Sequence, residues 1–219
     1  GDFMEKILAP SILAADIMRL GEQIEEVKRA GAKYLHIDVM DGMFVPALSY
    51  GMCVVESIRR SCDMVLDVHL MIIEPERYVE AFAKAGADII TFHLEACADV
   101  RGTIDLIHST GCRAGVSIKP GTDLEAAAEY LDCMDLLLIM SVEPGFGGQK
   151  FIEHSVEKVR ELRALIERTG SKALIEVDGG VNLETGARLV EAGADALVAG
   201  NAVFGAQDPV EMIRQLHEL

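Results

Sequence analysis

Short β-branched runs alternate with stretches of helical periodicity along the whole chain. The runs begin near Lys6 (KILAPS), Tyr34 (YLHIDVM), Val65 (VLDVHLM), Asp88 (DIITFH), Ala114 (AGVSI), Leu136 (LLLIMSV), Ala173 (ALIEVD) and Ala196 (ALVAG). From residue 6 to residue 196 there are seven intervals of about 27 residues, so eight such units fill almost all of the 219 positions. Between the runs, Ile17, Leu20, Ile24 and Val27 are spaced 3, 4, 3, and Ile152, Val156, Val159 and Leu162 are spaced 4, 3, 3. Both sets form one apolar face of a 3.6-residue helix.

Helix punctuation agrees with this reading. Pro75 and Pro209 fall in first helical turns, with Asp208 as an N-cap. Thr122-x-x-Glu125 reads as a capping box. Ala30-Gly31-Ala32, Ala85-Gly86-Ala87 and Ala192-Gly193-Ala194 are repeated helix exits, each with a glycine able to turn left-handed before the next strand. Eight βα units with no second composition regime predict a (β/α)8 TIM barrel in one domain over residues 1–219. An open doubly wound sheet is the competing reading. It calls for a G-x-G-x-x-G turn after the first strand, where this chain has PSILAAD.

Composition narrows the partners. Half the residues are apolar, enough to bury a sizeable core. The formal net charge of −16 repels phosphate backbones and anionic membranes, so neither nucleic acid nor a membrane is an expected partner. An anionic substrate would need a locally positive site made of backbone N–H groups or a metal ion. No apolar run reaches 18 residues. The N-terminus does not read as a signal peptide. Cys53, Cys62, Cys97, Cys112 and Cys133 are odd in number and scattered, which reads as free thiols in a reducing, cytoplasmic setting.

Such barrels carry their chemistry at the C-terminal ends of the strands. The second run offers His36 and Asp38 on one face, and the third offers Asp67 and His69 at the same spacing. The fourth ends in His93 and the seventh in Asp178. One such residue alone reads as a hydrogen-bonded plug. Several together are costly to bury unless they are paired or hold a metal. His36, Asp38, His69 and Asp178 form an N2O2 set suited to one divalent ion such as Zn, Fe, Mn or Co. Asp67 reads as a partner to one of the histidines, and His93 as a neighbour of the site or a substrate contact.

Glycines cluster after the last three runs, at Gly145, Gly147 and Gly148 around Phe146, at Gly179-Gly180, and at Gly200-Asn201. Singly these are turns. At three consecutive strand tops they favour a phosphate held by backbone N–H groups. The GFGG segment is also long enough to serve as a lid. Met40, Met71 and Met140 fall at strand ends, where they would wall the site without offering a proton.

The segments APSILAAD (9–16), HIDVMDGMFVP (36–46), DVHLMI (67–72), AGADIITFH (85–93), PGFGGQKF (144–151), VDGG (177–180) and AGNAVF (199–204) closely resemble the ribulose-phosphate 3-epimerase family. The resemblance implies a (β/α)8 barrel with a divalent metal that interconverts D-ribulose 5-phosphate and D-xylulose 5-phosphate, a step of the pentose phosphate pathway. It places the metal on His36, Asp38, His69 and Asp178, the two proton-transfer acids at Asp38 and Asp178, and a substrate contact at Ser11. It places the phosphate on the backbones of 145–148, 179–180 and 200–201. A phosphorylated ketose is thus the expected partner and a homo-oligomer the expected assembly. Ala47, Met52, Asn201 and Lys119 depart from the family's usual residues. The first two keep open a sibling activity on another ketose phosphate such as D-allulose 6-phosphate. A non-catalytic phosphometabolite-binding barrel is the alternative from another class, and it has no need of two facing acids.

Overall fold

A computed structural model describes residues 5–219. Its elements follow the predicted alternation: β1 (Ile7–Pro10), α1 (Leu20–Arg29), β2 (Tyr34–Met40), α2 (Met52–Ser61), β3 (Val65–Met71), α3 (Val79–Ala85), β4 (Ile89–His93) and α4 (Val100–Ser109). Then come β5 (Arg113–Ile118), α5 (Glu125–Ala128), β6 (Leu136–Met140), α6 (His154–Thr169), β7 (Leu174–Asp178), α7 (Leu183–Ala192), β8 (Ala196–Ala199), α8 (Asn201–Phe204) and α9 (Pro209–His217). The strands pair in parallel in the order β1-β8-β7-β6-β5-β4-β3-β2, a nearly closed (β/α)8 barrel. Among the described residues no helix is long and apolar enough to cross a membrane. All five cysteines carry free thiols.

Among the described residues the ring closes through a single parallel bridge, Ser11 to His36. The chain itself limits that seam. Ile7 and Ser11 donate their N–H groups toward β8, to Asp195 O and Ala199 O, both at 2.9 Å. Alternate residues of a strand point their N–H groups to opposite sides, so those of Leu8 and residue 10 face β2. Residue 10 is proline and has no N–H to give.

The strands bury two different faces. Leu35, Ile37, Val39, Leu66, Val68, Leu70, Ile90, Phe92, Val116, Leu137, Ile139, Ile175 and Val177 point outward into one continuous core beneath the helices. Each such side chain contributes roughly 1.5–3 kcal/mol on burial. The inward face is divided. Leu136, Leu138 and Met140 make a small apolar cluster on β6. Ser11, His36, Asp38, Asp67, His69, Thr91, His93, Ser117 and Glu176 are all buried polar residues on or beside β1 to β5 and β7. Barrels of this kind ordinarily fill that space with branched aliphatics.

Three local expectations change. The periodicity predicts a helix beginning at Ile17, but Ile17–Arg19 forms a 3-10 turn whose Met18 N–H is capped by Asp16, and Ile17 is exposed. Ile152 lies before α6, its N–H bound to Ser141 O at 2.8 Å. Thr122 does not cap α5, whose N-cap is Leu124. Its carbonyl instead accepts from the Lys158 ammonium at 2.6 Å. The reciprocal capping box is at Asn182 and Thr185, opening α7. Asp208 caps α9 as predicted, accepting from Glu211 N.

The repeated AGAD exits are more than turns. Gly86 and Gly193 have φ of +120° and +119°, and an arginine from a preceding helix lies across each. Arg59 of α2 donates to Gly86 O at 3.0 Å and Asp88 Oδ2 at 2.9 Å. Arg163 of α6 donates to Gly193 O at 2.7 Å and Asp195 Oδ2 at 2.6 Å. Those aspartates accept the N–H of Leu66 and of Ile175, each at 2.8 Å. Each arginine therefore ties a helix to the foot of the barrel, opposite the strand ends that carry chemistry. Arg59→Met and Arg163→Met are each expected to lower stability by about 1–3 kcal/mol in urea unfolding, while leaving kcat at the wild-type value.

Candidate active site

The site is built by strand parity. On β2, His36, Asp38 and Met40 share the inward face, and on β3 Asp67, His69 and Met71 do so in register beside them. β7 adds Glu176 and Asp178. Ser11, just past β1, donates its hydroxyl to Asp38 Oδ2 at 2.9 Å.

The four expected metal residues converge. His36 Nε2 lies 3.1 Å from Asp38 Oδ1 and 3.5 Å from Asp178 Oδ2. His69 Nδ1 lies 2.9 Å from Asp38 Oδ1 and 3.7 Å from Asp178 Oδ2. All four donor atoms lie within 4.8 Å of one another. A tetrahedral ion with bonds of ~2.1 Å sets its donors about 3.4 Å apart. Two imidazole nitrogens and two carboxylate oxygens at these separations therefore fit a divalent ion by both chemistry and spacing.

Beneath this layer each histidine is held from behind. His36 Nδ1 lies 2.8 Å from Asp67 Oδ2, the partner role expected of Asp67. His69 Nε2 lies 2.8 Å from His93 Nε2. Glu176 completes the lower layer with its carboxyl oxygen 3.9 Å from His36 Nδ1. Sequence reasoning passed over Glu176. The signal was present in IEVD, since the alternation that pairs His36 with Asp38 also pairs Glu176 with Asp178. Among the described residues, Asp67 Oδ1 and both Glu176 oxygens have no hydrogen-bond partner.

Charge in this interior follows from burial and pairing. Burial opposes protonation of His36, but the negative charges of Asp38 and Asp67 outweigh it and raise its pKa well above the ordinary value. Burial likewise opposes charge on Asp38, and His36 and His69 overcome it, holding the carboxyl far below the usual range. Glu176 is the reverse case. Burial and the adjacent Asp67 charge both push it up, so it stays a neutral acid. Burial carries His93 down to about 4, leaving a neutral imidazole.

Above the four residues opens a cavity of about 400 Å³. Met40, Met71 and Met140 wall its lower part, and Gly145–Gly148, Gly179, Gly180, Gly200 and Asn201 line its far side. Ser11, Asp38, Asp178, the three methionines and the glycine segments read from the sequence line this space, whereas His36 and His69 are fully buried behind Asp38 and Asp178 and do not reach it. No Lys or Arg lines it among the described residues. Among the described residues, the N–H groups of Gly147, Gly148, Gly179, Gly180 and Gly200 meet no acceptor. Gln149 braces the glycine loop, donating to Glu143 O and to Phe146 O at 2.9 Å, while the Phe146 ring is exposed.

Two of these glycines carry a packing requirement besides the role read in the sequence: a Cβ at Gly179 would lie 2.5 Å from Val142 Cγ2 and 2.8 Å from its backbone N. Gly180 has φ of +64°, and a Cβ there would lie 2.9 Å from Phe151 Cβ and 3.0 Å from its backbone, not in the cavity. The residue secures a close crossing of two chain segments.

Fold and site together define a barrel enzyme with a metal-competent His/Asp centre under a glycine-walled, cation-free pocket. Comparison with known proteins narrows the class. The sequence matches the profile of the ribulose-phosphate 3 epimerase family over residues 7–204. The ribulose-phosphate 3-epimerase of Bacillus subtilis (strain 168) is 50% identical over 210 residues, covering 95% of this chain and 97% of that protein. The chloroplastic ribulose-5-phosphate-3-epimerase of Arabidopsis thaliana is 50% identical over 210 residues, covering 95% and 75%. That of Aquifex aeolicus (strain VF5) is 45% identical over 214 residues, covering 98% and 96%. The chain belongs to the ribulose-phosphate 3-epimerase family and is an enzyme. Among solved structures, a 3-hexulose-6-phosphate synthase superposes with a TM-score of 0.68 at 19% identity, covering 97% of this chain and 98% of that one. The tryptophan synthase α subunit of Legionella pneumophila gives 0.66 at 15%, covering 97% and 92%. At those identities the likeness is one of fold.

Gly180→Val is expected to lower Tm by several degrees, because both the backbone conformation and the Phe151 crossing are lost. A differential scanning measurement checks this, and an unchanged Tm would show that the crossing relaxes.

Proposed function

We propose that the chain inverts C3 of a ketose phosphate, interconverting D-ribulose 5-phosphate and D-xylulose 5-phosphate. The observation that carries this reading is the meeting of Asp38 and Asp178, from separate strands, beside two histidines at the floor of a pocket whose far wall is glycine backbone. The relatives' names give the sugar.

Inverting a carbon next to a carbonyl requires a proton to leave one face and another to arrive at the opposite face. Two carboxylates on different walls suit that task. In one direction one of them takes the C3 proton and the other delivers its own. In the reverse direction the roles exchange. The Ser11 hydroxyl fixes the Asp38 carboxylate and leaves its other oxygen toward the histidines. His36, His69, Asp38 and Asp178 would hold one divalent ion. When bound, such an ion supplies Lewis-acid stabilisation of the negative charge that develops on the substrate's C2 and C3 oxygens. Met40, Met71 and Met140 exclude water and offer no competing proton. With no cation in the wall, the free N–H groups of the three glycine segments are the phosphate donors. The Gly145–Gly148 loop, whose Gly148 packs close to the Asn201 amide, would cover the sugar.

Asp38→Asn and Asp178→Asn are each expected to lower kcat by about 10²–10⁴-fold, with metal content measured alongside. Solvent-deuterium uptake at C3 of ribulose 5-phosphate should fall in parallel, and near-normal turnover in either metal-loaded variant would remove the two-acid assignment. EDTA should abolish activity, with partial recovery on adding Zn²⁺, Mn²⁺, Co²⁺ or Fe²⁺; full activity of exhaustively metal-free protein would sink that part.

The phosphate site predicts that inorganic phosphate or sulfate raises Tm. Unphosphorylated ribulose should be poor in kcat as well as KM, because remote binding energy orients the reacting carbon. Equal kcat for both sugars would mean that the phosphate does not organise the reaction.

A further inference from the structure

His69 and His36 occupy similar places in the site but are backed by different chemistry. His36 leans on a carboxylate, Asp67. Behind His69 stands another imidazole, with His93 Nε2 2.8 Å from His69 Nε2 and the two ring centroids 5.0 Å apart. Two facing ring nitrogens at that distance share one hydrogen, so one must donate and the other accept. His69 Nδ1 faces Asp38 Oδ1 and Asp178 Oδ2. If that nitrogen is to offer its lone pair to a cation, the ring's hydrogen must sit on Nε2. His69 then donates to His93 Nε2, and His93 carries its own hydrogen on Nδ1. That nitrogen lies 3.5 Å from Glu95 Oε1.

The outer end of this line is fixed. Glu95 Oε1 also accepts the backbone N–H of Lys119 at 2.6 Å. The loop carrying Lys119 is pinned by the ammonium of Lys158, buried in α6, which donates to the carbonyls of Lys119, Pro120 and Thr122 at 3.2, 3.3 and 2.6 Å. Phe44 closes the side of His93, with ring centroids 4.9 Å apart, and the Lys119 ammonium lies 4.3 Å above the Phe44 ring. The His93 ring is thereby held by contacts on several sides, with no exposure to solvent.

We propose that His93 and Glu95 form a positioning relay that sets the tautomer and ring orientation of His69, so that its Nδ1 is presented as a metal ligand. Neither residue touches the reacting carbon. The proposal rests on the metal site described under the proposed function.

The relay makes three predictions about metal binding by metal-stripped protein, read by Co²⁺ titration with the visible absorption of the bound ion. His93→Leu keeps the bulk but removes the acceptor, and should weaken Co²⁺ binding by about 10–100-fold and alter the spectrum. His93→Gln can place an amide oxygen where Nε2 stood, and should recover most of that loss. Glu95→Ala, at a partly exposed position that spares the interior, should weaken binding by a smaller factor in the same direction. Wild-type affinity and spectrum in His93→Leu would overturn the relay while leaving the metal site intact. So would a His93→Gln protein as weak as His93→Leu, since packing alone would then explain the loss. Should His93→Leu fail to fold, Glu95→Ala decides, and unchanged affinity and spectrum there overturn the proposal. Failure of the wild-type protein to bind Co²⁺ would instead overturn the metal site, and the relay with it.

Discussion

Ionisable groups sealed inside a barrel must satisfy one another, and much of this molecule follows from that constraint. Burying a lone charge is prohibitive, and burying a set is tolerable only when each member has a partner of suitable sign and geometry. Here His36 lies between Asp38 and Asp67, His69 between Asp38 and His93, and the neutral acid of Glu176 lies beside Asp67. The outer layer of Leu, Ile and Val supplies the stability that lets the inner layer be polar. Hydrophobic burial and chemistry are thus assigned to opposite faces of the same strands.

The same constraint explains how an acidic protein can receive an anion. A lysine or arginine beside the four-residue centre would compete for Asp38 and Asp178. Backbone N–H groups carry partial positive charge without that competition, and they are fixed by the turns that present them. Glycine at the tops of β6, β7 and β8 fits such a division of labour, with carboxylates on one wall and peptide dipoles on the other.

Much of this was legible in the sequence. The runs YLHIDVM and VLDVHLM are strands to the residue, and period-two alternation put His36, Asp38, Asp67 and His69 on one face. What stayed hidden depends on contacts between distant segments. Thr122-x-x-Glu125 has the letters of a capping box, but Lys158, 36 positions away, engages that loop instead. Gly180 reads as a glycine open to an anion, and only the fold shows that its missing side chain also accommodates Phe151. His93 could be placed at a strand end, yet its partner becomes visible only when β3 and β4 are set side by side. Glu176 shares a face with Asp178 by the same alternation in IEVD that pairs His36 with Asp38 on β2.

The proline at the end of β1 has a mechanical meaning. Seven of the eight joints between neighbouring strands are continuous ladders, and the eighth is one bridge. The sheet is therefore closer to a curled strip with its two ends touching than to a welded hoop. Those ends meet at Ser11 and His36, directly beside Asp38. The joint with the least backbone pairing in the ring therefore lies where Ser11 donates to the Asp38 carboxylate, and the side-chain contact there does part of the work that ladder hydrogen bonds do elsewhere.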